Sequence, residues 1–461
     1  MFNRKLLILF SSLVILALIL AACGGGAAPT EAPAEEAPAE EEPMEEEAPA
    51  EEEPMEEEAP AEGDLAGQTV TIFTAAGEEQ ANAMADSMVP FEERTGIDVV
   101  IEGSGDFETL ATVRAEAGDL PDIINFPQPG LMADFFREGF LVDLGQFLSD
   151  EYMQQQYSQS WIDLGTVDGS LAGVWHNADV KSLVWYAKPA FDAAGYEIPE
   201  TWDELTALTQ QIVDDGGVPW CIGIESSGAT GWVGTDWVED IMLRTAGAEA
   251  YDAWVAGELP FDSPEVRNAF DTMGEIWLNP DYVLGGTTSI LTVAFGDAPL
   301  PMFDDPPGCY MHRQASFIVN FFPEGTVVGE DVDYFYLPPI DEANYGKPVL
   351  GSGSILSLAN DTPAGRATIE FLTTGESTKA EVEAGIFVAP HNDVPLDWYP
   401  DDALRGFAEI LANADTFRFD GSDLMPGEVG TGTFWTGIVE YVSGTDLDTV
   451  LSTIDASFPS Q

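Results

Sequence analysis

Residues 68–126 decide the fold, and they read QTVTIFTAAGEEQANAMADSMVPFEERTGIDVVIEGSGDFETLATVRAEAGDLPDIINF. The runs Gln68–Phe73 and Ile97–Ile101 are short, rich in β-branched residues and bounded by turn residues, so each predicts a strand. Between them, residues 80–93 predict a helix that ends before Thr95-Gly96. A strand, a helix and a second strand in this order predict a β-α-β unit.

The alternation of strands and helices continues beyond this unit. Asp106 is placed to cap a helix over Phe107–Ala117, and Gly118 is placed to end it. Residues 121–124 then enter a third short strand. Repeated β-α-β units predict an α/β fold with a mainly parallel sheet covered on both faces. Because 461 residues exceed the roughly 250–300 at which one core stops growing, we expect more than one folded lobe.

The chain is strongly acidic. It contains 83 Asp and Glu residues against 15 Lys and Arg residues, a formal net charge of -68. A protein that neutralises phosphates along a nucleic acid needs the opposite balance, so we expect no nucleic-acid partner and no affinity for anionic membrane surfaces. Hydrophobic residues make up 45% of the sequence, which is enough apolar surface for sizeable cores.

The first residues resemble a bacterial lipoprotein signal. Arg4 and Lys5 precede an apolar run over residues 6–20, and small residues lead to Cys23. The resemblance implies that residues 1–22 are a signal peptide and that Cys23 becomes the lipidated N-terminus. The protein would then be held by lipid alone on the extracytoplasmic face of a bacterial membrane. The alternative is an uncleaved membrane helix, although the apolar run is short for a span.

Residues 23–64, which follow the signal, are the lipidated Cys and a low-complexity segment of Glu, Pro and Ala. The sequence EEEPMEEEAPA occurs at residues 40–50 and again at residues 51–61. Repulsion between glutamates and periodic proline predict an extended acidic tether. The alternative, a polyanion that binds cations, would need carboxylates in a fixed arrangement, which such a segment does not supply.

Cys221 and Cys309 are the only cysteines left to pair once Cys23 is lipidated. In an exported protein, two such cysteines predict a disulfide bond. The alternatives are two buried thiols or a metal site. The sequence contains no CxxC or HExxH motif, and its three histidines are widely spaced, so we expect no metal and no cofactor.

Several segments of the chain resemble one family of transport proteins. The more specific ones are PWCIG at residues 219–223, GWVGTDW at residues 231–237 and CYMHRQASF at residues 309–317. On the basis of these segments, residues 65–461 resemble an extracellular solute-binding protein (family 1) of a carbohydrate ABC importer, closest to the α-glucoside-binding type. The resemblance implies the periplasmic-binding-protein type II fold, in which two α/β lobes are joined by hinge strands with a ligand cleft between them.

The resemblance also implies a function and a division into lobes. The protein would capture a neutral oligosaccharide, an α-glucoside, by lobe closure and deliver it to the ABC permease subunits in the membrane. Lobe one would comprise residues 65–175 and 348–395, and lobe two residues 176–347 and 396–461. The chain would cross between them at residues 173–179, 347–354 and 391–398. Two independent domains in tandem are disfavoured because no Pro/Gly-rich linker interrupts the middle of the chain.

A sugar site can be sought by residue type. A pyranose has an apolar face and a rim of hydroxyls, so its site combines aromatic faces with carboxylates, amides and arginine. Candidates of these types lie at predicted crossings, at the ends of predicted helices and strands, or in segments that resemble the family. Glycine and serine are added where the backbone could approach the ligand. The candidates are Asp106, Phe107, Gln128, Trp175, Asn177, Trp232, Asp236, Trp237, Asp304, Asp305, Arg313, Gly351, Ser352 and Trp435.

Each candidate has a purely structural alternative. Asp106 could be only a helix cap, and Asp236 could be the cap of a helix that begins at Trp237. Trp237 and Trp435 could be core residues. Arg313 could pair with a neighbouring carboxylate rather than contact ligand.

The sequence carries no motif of enzymatic chemistry. GxSxG, GxxxxGK[ST] and a GxGxxG after a strand are all absent. Acidic residues are so numerous that two carboxylates at glycosidase spacing would carry no information. We therefore expect a monomeric binding protein that is not an enzyme. The alternatives are a receptor for a peptide, a polyamine or a polyol, and a surface glycoside hydrolase.

Overall fold

The computed structural model describes residues 65–413 and 416–459. The predicted signal peptide, Cys23 and the tether therefore lie outside the described residues. Within these two ranges, no helix is long and apolar enough to cross a membrane.

Strands and helices alternate through the described residues. The strands are β1 Thr69–Thr74, β2 Asp98–Gly103, β3 Ile123–Phe126, β4 Thr166–Val167, β5 Ser170–Leu171, β6 Val174–Val180, β7 Leu183–Tyr186, β8 Met311–Arg313, β9 Asp333–Tyr336, β10 Pro348–Leu358 and β11 Thr416–Phe419. The helices of the first half are α1 Glu78–Thr95, α2 Phe107–Ala117, α3 Pro129–Arg137, α4 Asp150–Gln156, α5 Gln159–Leu164, α6 Lys188–Ala194, α7 Trp202–Asp214 and α8 Trp232–Thr245. Those of the second half are α9 Gly247–Val255, α10 Pro264–Trp277, α11 Gly286–Thr292, α12 Glu342–Tyr345, α13 Pro363–Leu372, α14 Lys379–Glu383, α15 Asp402–Asn413, α16 Gly421–Leu424, α17 Trp435–Val442 and α18 Leu447–Asp455.

The principal sheet has the strand order β11-β10-β3-β1-β2, and β6 pairs with β10. β1 runs parallel to both β2 and β3, as the β-α-β pattern predicts. The three strands and two helices predicted from residues 68–126 are confirmed, with their ends shifted by a few residues. Gly96 and Gly118 follow α1 and α2 with φ of 74° and 68°, a left-handed conformation that glycine adopts without strain.

Two of the three predicted crossings fall on paired strands. β6 and β10 run antiparallel to each other, and β10 also pairs with β3 and β11. No strand forms at residues 391–398, the third predicted crossing, and β11 pairs with β10 instead. Pro390 and Pro395 lack the N–H group that a central strand donates to its neighbour, which accounts for the difference.

Apolar side chains form three buried clusters. The first surrounds the principal sheet and includes Ile72, Phe126 and Trp175. The second lies among helices of the middle and end of the chain, around Trp237 and Phe270. The third combines residues that the sequence assigns to both lobes. The clusters are consistent with two lobes, but the predicted lobe boundaries stay a prediction.

The predicted disulfide bond between Cys221 and Cys309 is confirmed. It lies beside a small antiparallel sheet in which β7 pairs with β8 and β9. The backbone N–H of Cys221 also donates to the carbonyl of Met311 in β8, at 2.8 Å. The covalent bond and the hydrogen bond hold residues near 221 and 309 together, although 88 positions separate them in sequence.

The bond can be tested by titrating thiols. Denatured, unreduced protein that lacks residues 1–64 should show no free thiol, because both remaining cysteines are bonded. After reduction, the same sample should show two. Two free thiols in the oxidised sample would contradict the pairing.

Candidate functional site

A cavity of about 440 Å³ lies where β1, β3, β6, β10 and the start of α8 meet. Its volume falls within the roughly 300–1,000 Å³ typical of small-molecule sites. Its polar lining includes Thr74, Gln80, Glu108, Asn125, Gln128, His176, Asn177, Asp179, Lys181, Ser226, Ser352, Ser354, Glu381 and Asp423. Its aromatic lining consists of Phe107, Trp232, Phe295, Phe317, Phe321, Phe387 and Trp435.

The sheet places one group of polar residues at the cavity. Thr74, Asn125 and Gln128 lie at or just beyond the carboxyl ends of β1 and β3, the edge at which open α/β sheets bind ligands. The Gln128 Nε2 donates to Glu108 Oε1 at 2.9 Å, which fixes the orientation of the amide. Burial raises the pKa of Glu108. The Gln128 Oε1 is therefore the amide atom that remains for another partner.

An irregularity in β6 places two consecutive side chains at the cavity. Ser354 of β10 is opposite Asn177, whereas Ile355 is opposite Trp175, so His176 has no opposite residue. A bulge of this kind interrupts the regular alternation of side chains between the two faces. His176 and Asn177 both line the cavity as a result, while Trp175 faces the core of the sheet.

A cluster of aromatic rings forms one wall of the cavity. Trp232 is half-buried at the start of α8, and its ring packs against Phe295 at 5.1 Å and Phe317 at 5.9 Å between centroids. The preceding Gly231 has a φ of 122°, and a Cβ there would lie 2.2 Å from the carbonyl oxygen of Trp435. Glycine is therefore required for the approach that brings Trp232 and Trp435 to the same cavity.

Lys181 is a buried cation at the end of β6. Its Nζ lies 2.9 Å from Asp236 Oδ1, contacts Asp420, and is 5.4 Å from the centre of the Trp232 ring. Burial lowers the pKa of Lys181, but the carboxylates of Asp236 and Asp420 outweigh this and raise the pKa well above its usual value. The side chain is therefore charged and links β6, α8 and the residue after β11.

Buried carboxyl groups outnumber the cations around Lys181. Burial raises the pKa of Asp236 to about 7, although Lys181 opposes the shift. Burial would also raise the pKa of Asp420, but Lys181 lowers it to about 2. Asp236, Glu239 and Asp420 bring carboxylate oxygens within 4.8 Å of one another. Because Lys181 already contacts two of these carboxyl groups, we assign no metal to them.

Several buried polar atoms at the cavity find no hydrogen-bond partner within the described part of the chain. They are Asn125 Oδ1, Gln128 Oε1, Glu381 Oε2, His176 Nδ1 and Trp435 Nε1. An unsatisfied buried polar group costs about 1–3 kcal/mol, so native proteins leave few of them without a reason. A polar ligand in the cavity would complete these hydrogen bonds, while nine further unsatisfied buried atoms lie elsewhere in the described residues.

Six of the predicted ligand-binding residues line this cavity. They are Phe107, Gln128, Asn177, Trp232, Ser352 and Trp435. The structure thus brings together residues that are up to 328 positions apart in the chain. Whether each contacts ligand stays a prediction.

The other predicted residues lie elsewhere. Asp106 is exposed before α2, where its side chain makes no capping hydrogen bond, and Asp304 and Asp305 are exposed in a turn. Trp175 is buried among the side chains of the sheet, and its Nε1 donates to the Trp161 carbonyl at 2.7 Å.

Apart from Trp232, the residues predicted in and around the GWVGTDW segment are buried away from the cavity. The helix begins at Trp232, so Asp236 is inside it and is not a cap for a helix starting at Trp237. The Trp237 ring packs in the core, 5.3 Å from Trp220. Arg313 is buried away from the cavity and donates to Asp240 Oδ2 at 2.6 Å.

Gly351 does not line the cavity either, and it lies where β10 packs closely against its neighbours. A Cβ at this position would lie 2.4 Å from the Phe417 ring and 3.0 Å from the Asp179 carbonyl. Its neighbour Ser352 points to the cavity instead. The glycine allows β10 to lie close to β6 and β11.

Sequence reasoning missed several lining residues, among them Asn125, His176, Lys181, Glu381 and Asp423. Asn125 could have been found, because it ends the third predicted strand at the ligand-binding edge of a parallel sheet. The remaining four carry no comparable local signal. Their position depends on a bulge and on contacts between distant segments.

Comparisons with known proteins show which proteins this chain is similar to. The family model of the bacterial extracellular solute-binding proteins matches residues 67–381. The chain is 49% identical over 397 residues to the osmoprotective compounds-binding protein GgtB of Synechocystis, a match that covers 86% of this chain and 94% of that protein. It is 46% identical over 391 residues to the alpha-glucosides-binding periplasmic protein AglE of Rhizobium meliloti, covering 83% and 85%.

A solved structure shows the same fold. The chitin oligosaccharide binding protein superposes with a TM-score of 0.71 at 18% identity, and the match covers 84% of this chain and 98% of that one. At this identity the likeness concerns the fold alone. The fold is that of the type II periplasmic binding proteins, as the sequence predicts.

Proposed function

Since the chain belongs to the bacterial extracellular solute-binding protein family, we propose that it captures a neutral oligosaccharide, an α-glucoside, and delivers it to an ABC permease. Members of this family are binding proteins of ABC importers and not enzymes. The two relatives named above carry different solutes in their names, osmoprotective compounds and alpha-glucosides, so the solute is part of this proposal.

The unsatisfied polar atoms at the cavity carry the proposal. Asn125, Gln128 and Glu381 each present an oxygen acceptor, and Trp435 presents one N–H donor. A surplus of acceptors suits a ligand that donates several hydrogen bonds. Sugar hydroxyls do this without bringing a charge, whereas an anion offers only acceptors and would face four cavity carboxyl groups.

The aromatic wall supports a sugar over other neutral solutes. The apolar face of a pyranose packs against an aromatic ring while its hydroxyls reach polar groups at the ring edge. Trp232 and Trp435 present indole rings to the same cavity that holds the amide and carboxyl groups. This combination is the one expected for a sugar site.

The cavity is enclosed by residues of both predicted lobes, which supports capture by closure. A Cβ on Gly228, in the turn before α8, would lie 3.3 Å from Thr109 Oγ1 of α2. These segments therefore meet at the rim of the cavity. Ligand that bridges both walls would stabilise the closed form, whose surface a permease can distinguish from the open one.

We propose a membrane arrangement that rests on the lipoprotein resemblance and on the family. The family is extracytoplasmic, and the lipoprotein resemblance adds a lipid on Cys23 and an acidic tether over residues 24–64. We propose that this lipid is the only anchor and that the monomer meets its permease at the membrane surface. If the lipid is attached to Cys23, the unchanged protein should incorporate radiolabelled palmitate and a Cys23→Ala variant should not.

A polyamine receptor is the second candidate, and one observation favours it. Glu108, Asp179, Glu381 and Asp423 all line the cavity, and ammonium groups are donors that carboxylates bind well. Burial raises the pKa of Asp179 to about 6, despite hydrogen bonds from Ser316 and Asn177. Burial raises the pKa of Asp423 well above its usual value, and Lys181 in the lining repels a cation, so we rank the neutral sugar first.

Replacing Trp232 by alanine should weaken sugar binding by about 1–3 kcal/mol, because the ligand would lose a stacking surface. The unfolding temperature without ligand should change little, since the residue is half-buried at the cavity. Calorimetric titration with maltose, trehalose and sucrose measures the effect.

A half-buried tryptophan elsewhere provides the matched control. Trp398→Ala, at a half-buried position outside the cavity, should leave sugar affinity unchanged. If Trp232→Ala binds as tightly as the unchanged protein, Trp232 is not a stacking surface and the aromatic wall has another role.

A further inference from the structure

We propose that His176 and Glu381 act together as a specificity-determining pair, which accepts hydrogen bonds from two neighbouring hydroxyl groups of the sugar. This inference rests on the proposed function. It concerns two residues that the sequence does not single out, one on β6 and one on α14. Its chemical content is a preference for ligands with an intact vicinal diol at this end of the cavity.

The two side chains are buried and face the same cavity. His176 and Glu381 are each 3% exposed, and both belong to the cavity lining. The His176 Nε2 makes a hydrogen bond with Glu381 Oε1 at 3.2 Å. The second carboxylate oxygen, Oε2, lies 3.1 Å from the same nitrogen but makes no hydrogen bond of its own.

The contact between the residues determines what each offers to a ligand. Because a carboxylate only accepts hydrogen bonds, the His176 Nε2 must carry the hydrogen. In neutral histidine the Nδ1 is then an acceptor, and it finds no partner among residues 65–413 and 416–459. Glu381 Oε2 is the second acceptor. Neither His176 Nδ1 nor Glu381 Oε2 has a hydrogen-bond partner in the described residues, although Oε2 also lies 3.1 Å from His176 Nε2.

The surroundings hold these acceptors in place. The bulge in β6 directs His176 to the cavity, and its ring packs against Phe387 at 5.1 Å in an edge contact. Glu381 belongs to α14, which packs on α1. Both acceptors belong to residues of the cavity lining, and each one costs stability unless a ligand donates a hydrogen bond to it.

Glu381→Gln tests the proposal with little change of shape. The glutamine oxygen can still accept from His176 Nε2, but its NH₂ group presents donors where the carboxylate presented an acceptor. Affinity for the tightest binder among maltose, trehalose and sucrose should fall at least tenfold. The matched control is Glu383→Gln, which changes an exposed glutamate of the same helix and should leave affinity unchanged.

Monodeoxy derivatives of that sugar distinguish a ligand contact from a structural role. The derivative that lacks the contacted hydroxyl should bind the Glu381→Gln variant and the unchanged protein equally, because the lost interaction is already absent. A structural role would reduce affinity for all derivatives by the same factor, which would overturn the proposal. Should Glu381→Gln fail to fold, Glu381→Asp keeps the charge and withdraws it from the ligand, with the same expected pattern.

The outcome separates this inference from the function on which it rests. If the unchanged protein binds none of the sugars, the proposed function itself fails. If it binds sugar and Glu381→Gln binds it equally well, only the specificity pair is refuted.

Discussion

Replacing Lys181 by methionine should destabilise the protein by about 3–5 kcal/mol, because the change leaves buried carboxylates without their cation. Lys181 is 4% exposed, and its Nζ contacts Asp236 and Asp420, which are themselves fully or almost fully buried. Methionine fills similar space, so the loss would reflect charge rather than volume. Urea unfolding of the two proteins measures the difference in the free energy of unfolding.

A surface lysine gives the matched control. Lys379 pairs with Glu383 at 3.7 Å on the exposed side of α14, and such pairs contribute about 0–1 kcal/mol. Lys379→Met should therefore have a small effect. If Lys181→Met were as mild as Lys379→Met, the Asp236 and Asp420 carboxyls would not depend on Lys181, and the assigned ion pairs would be wrong.

Replacing Trp175 by alanine should cost about 3–5 kcal/mol of stability and affect sugar affinity less than Trp232→Ala does. Trp175 is 1% exposed, and its ring packs against Trp161 at 4.8 Å and Phe419 at 5.1 Å. The substitution would leave a large cavity in the core of the principal sheet. Unfolding temperature without ligand and dissociation constant with ligand measure the two effects separately.

The opposite pattern would place Trp175 in the binding site. An unchanged unfolding temperature together with a large loss of affinity would mean that its ring faces ligand. Trp398→Ala, at a half-buried position, again gives the control and should cost less stability than Trp175→Ala.

Local signals explain which parts of the fold were predictable. The first three strands and two helices follow from hydrophobic periodicity and from the glycines at residues 96 and 118, all within one short segment. The crossing strands β6 and β10 were placed through family resemblance. The position of β11 was not predicted, because each of its residues pairs with a residue of β10 that lies 68 positions earlier in the chain.

The binding residues were harder to predict than the fold. Trp175 and Trp232 are the same residue type in similar polar segments, yet one packs in the core and the other lines the cavity. The bulge at His176 changes which side chains face the cavity, and no local pattern marks it. Period-two alternation along β6 is therefore an unreliable guide to its ligand-facing residues.

Charged residues illustrate the same limit. Asp236 and Asp304 are both carboxylates among the predicted ligand-binding residues, but Asp236 contacts Lys181 inside the protein whereas Asp304 is exposed. The partner of Asp236 is 55 positions away, so only the folded chain shows the pairing. In a chain with 83 acidic residues, composition does not indicate which carboxyl groups line a cavity.

The central claim is that the protein binds a neutral sugar without converting it. The most direct measurement is calorimetric titration with maltose, trehalose, sucrose, maltotriose, cellobiose, xylobiose, glycerol 3-phosphate and spermidine, with each sugar recovered and analysed afterwards. We expect saturable binding of at least one α-glucoside, no binding of glycerol 3-phosphate, and unchanged sugar after incubation. Binding of spermidine or glycerol 3-phosphate with no binding of any sugar would contradict the claim, as would release of reducing sugar.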